Sequence, residues 1–273
     1  MLETMLDNVR NHNPLVHCIT NYVTVNDCAN ALLAIGGSPI MADDIDDVRD
    51  ITRICSGLNI NIGTLNKRTV PSMFEAARIA NEQKIPVLLD PVGAGASTLR
   101  TETARSLMEK VRFSVIRGNI SEIKALAGGC TNTKGVDASE ADKITDKDME
   151  NTISFAKDFS KNTGCVIVVT GATDLITDGS KVYSVKNGHW MMSKITGAGC
   201  MLSVVTSAFI SANRDNITEA CLAAVCTMGI CGEKSYARLK ENEGNASYRN
   251  NLIDELFNIN SKSLEEGAKY EVR

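Results

Sequence analysis

The chain has 273 residues, of which 43% are hydrophobic, and a formal net charge of −4 at pH 7. This length and composition are typical of one large or two small globular domains with an ample core. The mild acidity and the lack of a basic stripe argue against a nucleic-acid partner, and no run of 18 apolar residues predicts a membrane span.

The first ten residues, MLETMLDNVR, contain acidic side chains and no apolar core of a secretory signal, so we expect a cytoplasmic protein. Nine cysteines, an odd number without a C-x-x-C pair, argue against a disulfide framework. Cys221, Cys226 and Cys231 recur every five residues, which scatters them around a helix. We therefore expect them to be small core residues and not zinc ligands.

Short apolar runs alternate with amphipathic segments along most of the chain, and this alternation predicts a doubly wound, three-layer α/β sheet. Strands are predicted at 15–19, 38–41, 58–63, 86–90, 113–118, 165–171, 174–178 and 181–185. Helices are predicted near 24–35, 45–56, 69–83, 98–110, 121–127, 148–162, 200–213, 217–240 and 246–258.

Three further features complete the predicted architecture. The run CVIVV is apolar throughout, as in a parallel strand buried on both faces. The segment DLITDGSKVYSV predicts a hairpin at one edge of the sheet, because two alternating runs flank Asp-Gly-Ser. We expect one domain over residues 1–273 and a polar surface loop over 131–147.

Ligands of open α/β sheets bind beyond the carboxyl ends of the strands, and these ends carry polar groups here. Asp90 ends the strand PVLLD and precedes a Gly-x-Gly turn. That position suits a carboxylate that holds a metal or a phosphate-linked water, and it equally suits a cap for the next helix.

The strand FSVI runs into RGNISE, where Asn119 and Glu122 stand three residues apart and share a helix face. They could support Mg²⁺, or Glu122 could be a favourable charge at a helix start. Arg117 could clamp a phosphate or form a surface salt bridge. Thr170, at the end of CVIVVT, could contact a phosphate or simply end its strand.

The stretch SKITGAGCMLS, residues 193–203, predicts a glycine-rich turn that opens a helix. The N–H groups of such a turn form an anion site, for which Gly197, Ala198 and Gly199 are the candidates. A helix N-terminus lowers the pKa of a thiol, so we expect this effect at Cys200. Together the strand ends and the turn predict phosphoryl transfer, without the G-x-x-x-x-G-K-[ST] signature of P-loop enzymes.

The combination of motifs resembles the hydroxyethylthiazole kinases of thiamine salvage, which are ribokinase-like enzymes. The stretches that carry the resemblance span roughly residues 13–215 and are NPLVHCITNYVTVNDCANALLAIGGSPIMA, NIGTL, LLDPVGAGA, IRGNISEI, TKGVDA, NGH and TGAGC. The resemblance implies a ribokinase-like three-layer α/β/α domain with a mostly parallel sheet, an antiparallel edge hairpin and no lid. It also implies phosphorylation of 4-methyl-5-(2-hydroxyethyl)thiazole with ATP and Mg²⁺, by a homotrimer with active sites at subunit interfaces.

The resemblance assigns roles to individual residues as well. It implies Arg117 and Thr170 for ATP; Met41, Gly197, Asn21, Gly63 and Thr64 for the thiazole; and Asn119 and Glu122 for Mg²⁺. Asp90 is a third candidate metal ligand, from its place at a strand end. Related kinases end the glycine-rich turn in Asp as a base, whereas the thiazole kinases have Cys. We therefore interpret Cys200 as a weak base or a positioning group, not a covalent nucleophile.

Two other classes compete with this interpretation. A hydrolase with Cys200 as nucleophile needs a histidine base, and His12, His17 and His189 are the candidates. A dinucleotide-binding protein is disfavoured because no G-x-G-x-x-G follows the first strand. Among kinases, hydroxymethylpyrimidine or its phosphate is the alternative substrate.

Overall fold

The computed structural model describes residues 1–128 and 146–273, and every structural statement below concerns those residues. In them, nine strands form one sheet: β1 (Leu15–Ile19), β2 (Ser38–Ile40), β3 (Gly57–Asn61), β4 (Val87–Asp90), β5 (Val115–Asn119), β6 (Val166–Thr170), β7 (Asp174–Thr177), β8 (Val182–Val185) and β9 (Tyr270–Val272). The strand order is β2-β1-β3-β4-β5-β6-β7-β8-β9.

The helices that flank this sheet are α1 (Leu2–His12), α2 (Val25–Ile35), α3 (Val48–Ile54), α4 (Thr69–Glu82), α5 (Thr98–Lys110), α6 (Ile120–Leu126), α7 (Asp146–Thr163), α8 (Ala198–Ala212), α9 (Ile217–Ala237), α10 (Asn245–Asn258) and α11 (Ser261–Gly267). A short 3₁₀ helix, Trp190–Lys194, precedes α8. No helix of the described residues is both long and apolar enough to cross a bilayer.

The first six strands in this order, β2, β1, β3, β4, β5 and β6, pair in parallel. Strands β7, β8 and β9 continue the sheet in antiparallel pairs. The register brings polar residues side by side at the carboxyl edge. Asn61 at the end of β3 is paired with Asp90 of β4, and Asn119 of β5 is paired with Thr170 of β6. The parallel arrangement therefore gathers residues that are far apart in the chain.

The two faces of the sheet carry separate hydrophobic cores. One core joins α1, α2, α8, α9, α10 and α11 to the sheet, and the other joins α3 to α7 to the opposite face. Strand β6 serves both cores, because Val168 packs into the first and Ile167 into the second. This confirms the interpretation of CVIVV as a strand buried on both sides.

The predicted three-layer fold with a mixed sheet is confirmed, and the predicted strands and helices appear within a few residues of their predicted bounds. The sequence patterns did not predict α1, α11 or β9. Of the loop expected over 131–147, residues 131–145 lie outside the described residues. The prediction is wrong for residues 146 and 147, which form the first residues of α7. Cys221, Cys226 and Cys231 are fully buried in the first core, as expected.

Candidate active site

Asp90 lies at the centre of the polar edge and is completely buried. Its Oδ2 accepts hydrogen bonds from Asn61 Nδ2 and from the Ser203 hydroxyl, each at 2.8 Å. Its Oδ1 has no hydrogen-bond partner and lies 3.6 Å from Nη1 of Arg117, an ion-pair distance too long for a hydrogen bond. Burial raises the pKa of Asp90, while Arg117 and the two hydrogen bonds lower it. Asp90 does not cap the next helix, because Ser97 caps α5.

Arg117 lies in the middle of β5 and is buried, and its ion pair is with the buried Asp90, so the interpretation of Arg117 as part of a surface salt bridge is wrong. Its Nη2 donates a hydrogen bond of 3.0 Å to the Thr170 hydroxyl. A Cβ at Gly199 would lie 2.8 Å from both terminal nitrogens of Arg117, so the guanidinium lies directly against the turn. Arg117, Thr170 and the turn thus form one cationic, donor-rich surface.

Glu122 and Asn119 form the N-terminal cap of α6. The Asn119 side chain accepts a hydrogen bond of 2.8 Å from Glu122 N, and Glu122 Oε2 accepts one of 2.9 Å from Asn119 N. The other carboxylate oxygen, Oε1, accepts a 2.8 Å hydrogen bond from Gly93 N. Burial, and then the charge of Asp90, raise the pKa of Glu122 to about 7. Glu122 therefore does cap the start of α6, and if it also binds a metal it must do so while it keeps these hydrogen bonds.

The glycine-rich turn ends in a left-handed residue. Gly197 has φ 86°, a conformation that L-residues rarely adopt, and a Cβ there would come within 2.6 Å of Thr24 Cγ2. Helix α8 begins at the next residue, and its first N–H groups have no acceptor within the helix. They belong to Ala198, Gly199 and Cys200, and of these residues Gly199 lies against the guanidinium of Arg117. This arrangement suits a phosphate.

Cys200 is buried at the inner end of this turn. Its Sγ accepts hydrogen bonds from Asn21 Nδ2 at 3.2 Å and from Asn61 Nδ2 at 3.3 Å. The expectation that the helix terminus lowers its pKa is wrong: burial, and then Asp90, raise the pKa of the thiol. Hydrogen bonds and the charge of Arg117 oppose this only in part, so the neutral thiol prevails near neutral pH.

A cavity of about 110 Å³ opens beside this cluster. It is lined by Cys18, Thr20, Tyr22, Val25, Met41, Asp43, Asn61, Thr64, Asn66, Thr69 and Met73. Of the residues expected to bind a substrate, Met41 and Thr64 line the cavity. Thr64 also accepts a hydrogen bond from Tyr22 N, and Gly63 N donates one to Asn61 Oδ1. Gly197 lies apart from this lining, in contact range of Thr24.

The three histidines, all in the described part of the chain, form no hydrogen bond with Cys200. Both ring nitrogens of buried His17 are engaged, by the Thr52 hydroxyl at 3.0 Å and by Ala42 O at 2.8 Å. His189 stacks on Tyr236, and His12 bonds to Asn8 O. The hydrolase interpretation therefore lacks its base.

Sequence reasoning missed two residues of the cluster, Asn61 and Ser203. Asn61 was placed inside a strand, and Ser203 inside the apolar α8, so neither stood out as a strand-end group. A polar side chain in the last position of a buried strand was the available signal for Asn61. Ser203 is found only from packing, since its hydroxyl reaches Asp90 across the helix–sheet interface.

Comparison with known proteins adds independent information. A model of the hydroxyethylthiazole kinase family matches residues 6–262. The hydroxyethylthiazole kinase of Clostridium acetobutylicum is 62% identical over 271 residues, which cover 99% of both chains. That of Ruminiclostridium cellulolyticum is 51% identical and covers 97% of this chain and 95% of its own.

Solved structures agree with this. A hydroxyethylthiazole kinase protein from Pyrococcus horikoshii superposes with a TM-score of 0.87 and 34% identity, over 100% of this chain and 98% of the other. A pyridoxal kinase from Staphylococcus aureus, in complex with pyridoxal, gives a TM-score of 0.59 at 15% identity, over 95% of this chain and 97% of the other. The second likeness concerns the fold alone.

Proposed function

The chain belongs to the hydroxyethylthiazole kinase family, and we propose that it transfers the γ-phosphoryl group of ATP to the hydroxyl of 4-methyl-5-(2-hydroxyethyl)thiazole in thiamine salvage. The observation that carries the proposal is the junction of two surfaces at Cys200. On one side lie Arg117, Thr170 and the open N-terminus of α8. On the other side lies the small cavity lined by Met41 and Thr64.

The phosphate end of the site supplies positive charge and N–H donors. Arg117 and Thr170 would hold the nucleotide phosphates, and the N–H groups of Ala198, Gly199 and Cys200 would receive the group in transfer. Transfer forms a bond between the acceptor oxygen and the γ-phosphorus and breaks the bond to the β–γ bridging oxygen. Its transition state is loose in most analyses, so fixed charge and positioning supply most of the rate.

The carboxylates fit a magnesium ion. Mg²⁺ in kinases is bound by one or two carboxylates, with waters and substrate phosphates completing the shell. Asp90 Oδ1 is buried without a hydrogen-bond partner, and each Glu122 oxygen accepts only one N–H group. Asp90 and Glu122 would hold the ion, which neutralises charge on the phosphates when bound. Asn119 would contribute by fixing Glu122.

Among the described residues, no three His, Cys, Asp or Glu side chains form a group that could hold a metal by themselves. That agrees with an ion that takes most of its ligands from water and phosphate. A dedicated protein cage of several carboxylates would be the arrangement for a tightly bound Ca²⁺.

Cys200 connects the phosphate end to the acceptor cavity, because it follows Gly199 and its sulfur accepts a hydrogen bond from Asn61, which lines the cavity. Its neutral thiol is a poor nucleophile, because the thiolate is the nucleophilic form. The thiol would therefore position the substrate hydroxyl, and only the minor thiolate form would act as a weak base that takes up the hydroxyl proton. Met41 and Met73, two polarizable side chains of the cavity lining, would contact the flat thiazole ring, and Asn21, Gly63, Thr64 and Gly197 would complete the pocket.

We also propose a homotrimer with active sites at subunit interfaces. The proposal rests on the resemblance and on the exposed side chains beside the cavity. Tyr22, which lines the cavity, is 76% exposed, and the adjacent Val23 is 59% exposed. A neighbouring subunit would cover them and exclude water from the phosphates. Light scattering should give three times the chain mass of 29.4 kDa, and a monomer mass would refute the proposal.

The proposal also includes a single domain and a cytoplasmic location. All nine described strands join one sheet, which supports a single kinase domain over residues 1–273. The eight cysteines in the described residues are free thiols, which suits the reducing cytoplasm.

The decisive experiment is a panel of alcohols incubated with the protein, ATP and Mg²⁺. We expect phosphorylation of the thiazole alcohol, and none without ATP. Phosphorylation of hydroxymethylpyrimidine alone would show that the thiazole alcohol is not the substrate. Hydrolysis of an ester without ATP would support the hydrolase interpretation instead.

A further inference from the structure

We propose that Asn61 is a positioning residue for phosphoryl transfer, which acts through Cys200 by holding its sulfur in place between the phosphate end and the acceptor cavity. The inference rests on the proposed function. It goes beyond it by assigning a role to a side chain that lines the acceptor cavity and to which neither the motifs nor the resemblance gave one.

The hydrogen bonds of Asn61 are complete. Its Nδ2 donates to Asp90 Oδ2 at 2.8 Å and to Cys200 Sγ at 3.3 Å. Its Oδ1 accepts from Gly63 N at 2.9 Å and from Asn21 Nδ2 at 3.2 Å. An asparagine amide has two donor hydrogens and two acceptor lone pairs, so all four are in use.

The orientation of the amide is fixed by its neighbours. Gly63 N is a donor and Asp90 is an acceptor, so the oxygen and nitrogen of Asn61 cannot exchange places without losing both bonds. Asn21 is fixed in the same way, because its Oδ1 accepts from Thr24 N at 3.1 Å. Both amides can therefore present only N–H groups to the sulfur of Cys200.

Two N–H donors, one from the end of β3 and one from the loop after β1, restrain the sulfur. A cysteine side chain is otherwise free to rotate about χ1 among three staggered positions. Asn61 also links Cys200 to Asp90, the ion-pair partner of Arg117, so the thiol keeps a fixed place relative to the phosphate end. The neutral Cys200 side chain would then meet the substrate hydroxyl in one orientation.

The chain provides a matched control in the same strand. Asn59 lies two residues earlier in β3, on the same face, and is also fully buried. Both polar atoms of its side chain lack a hydrogen-bond partner. Replacing Asn59 or Asn61 by alanine removes the same atoms from a buried strand, but only the second substitution removes bonds to Cys200 and Asp90.

The test is a double-mutant cycle on kcat and KM. We expect Asn61→Ala to lower kcat about tenfold, the equivalent of one hydrogen bond, with KM for ATP within about twofold. In a Cys200→Ala background the same substitution should lower kcat by less than about threefold, because the group through which it acts is gone. Asn59→Ala should leave kcat within about twofold in both backgrounds.

Equal losses from Asn61→Ala in the two backgrounds would overturn the proposal, as would an equal loss from Asn59→Ala. If Asn61→Ala does not fold, the cycle is repeated with Asn61→Ser, which keeps one polar group beside Asp90, and the same outcomes apply. The cycle uses whichever alcohol the panel identifies, so a wrong substrate and a wrong role for Asn61 give different results.

Discussion

The turn at Gly197 gives a quantitative test of how tightly the phosphate end is built. Alanine at this position meets two separate costs. The left-handed conformation costs about 1 kcal/mol for a residue with a Cβ. The contact at 2.6 Å with Thr24 Cγ2 adds an overpacking cost of about 1–3 kcal/mol, because Thr24 is itself buried. We expect Gly197→Ala to lower the free energy of unfolding by about 2–4 kcal/mol.

Two variants separate these costs. Gly164 also has a positive φ, of 68°, but no atom lies within 4 Å of a Cβ built there. Gly164→Ala should therefore lose only the conformational part, about 1 kcal/mol. Thr24→Ser removes the clashing methyl and keeps the hydroxyl that donates to Asn21 Oδ1. Alone it should destabilise, yet in the Gly197→Ala protein it should stabilise, by about 1–2 kcal/mol.

The assay is urea unfolding at a fixed protein concentration, followed by circular dichroism, with kcat measured on the same samples. We expect Gly197→Ala to lower kcat strongly, because a displaced turn moves its N–H groups away from Arg117. Additive effects of Gly197→Ala and Thr24→Ser would refute the reasoning, and so would equal losses at Gly197 and Gly164.

Three further predictions concern the reacting groups. Cys200→Ala should lower kcat about 100-fold without abolishing turnover. Cys200→Asp should stay active, because Asn21 and Asn61 can donate hydrogen bonds to a carboxylate. A covalent adduct on Cys200 detected by mass spectrometry would contradict a positioning or weak-base role. Glu122→Gln should raise the Mg²⁺ concentration needed for half-maximal rate and lower kcat more than it raises KM for the thiazole, whereas the exposed control Glu102→Gln should change neither. Arg117→Lys should raise KM for ATP, because a single ammonium cannot both contact Thr170 and lie flat on Gly199; unchanged ATP kinetics would exclude this nucleotide contact.

The sequence was sufficient to place the strands and their polar ends. Asp90, Arg117 and Thr170 each follow a continuous apolar run, and parallel strands bring such ends to one edge whatever their separation in the chain. Asn21 follows β1 and so reaches the same edge, where it meets Cys200, 179 residues further along the chain, at the start of α8. Periodicity thus predicted that the strand-end groups share one edge, since that follows from the strand direction, but not the contacts that α8 makes there.

Burial and partner choice could not be predicted in this way. The helix terminus predicts a lowered pKa for Cys200, but burial and Asp90 raise this pKa, and both depend on how α8 packs on the sheet. Glu122 looked like either a metal ligand or a cap, and only its bonds to Gly93 and Asn119 show that the cap exists. Strand β9 has three residues and owes its existence to pairing with β8, so no local pattern marks it.

Neither edge strand of the nine-stranded sheet is well suited to pair with a strand of another molecule. The outermost strands, β2 and β9, have three residues each. Strand β2 contains Pro39, which has no N–H group to donate, and β9 carries the exposed, charged Glu271. Edge strands that are short, charged or interrupted by proline oppose edge-to-edge pairing of two sheets. Copies of this chain that assemble should therefore meet through loops and helices, and concentrated solutions should resist fibrous aggregation from the native state.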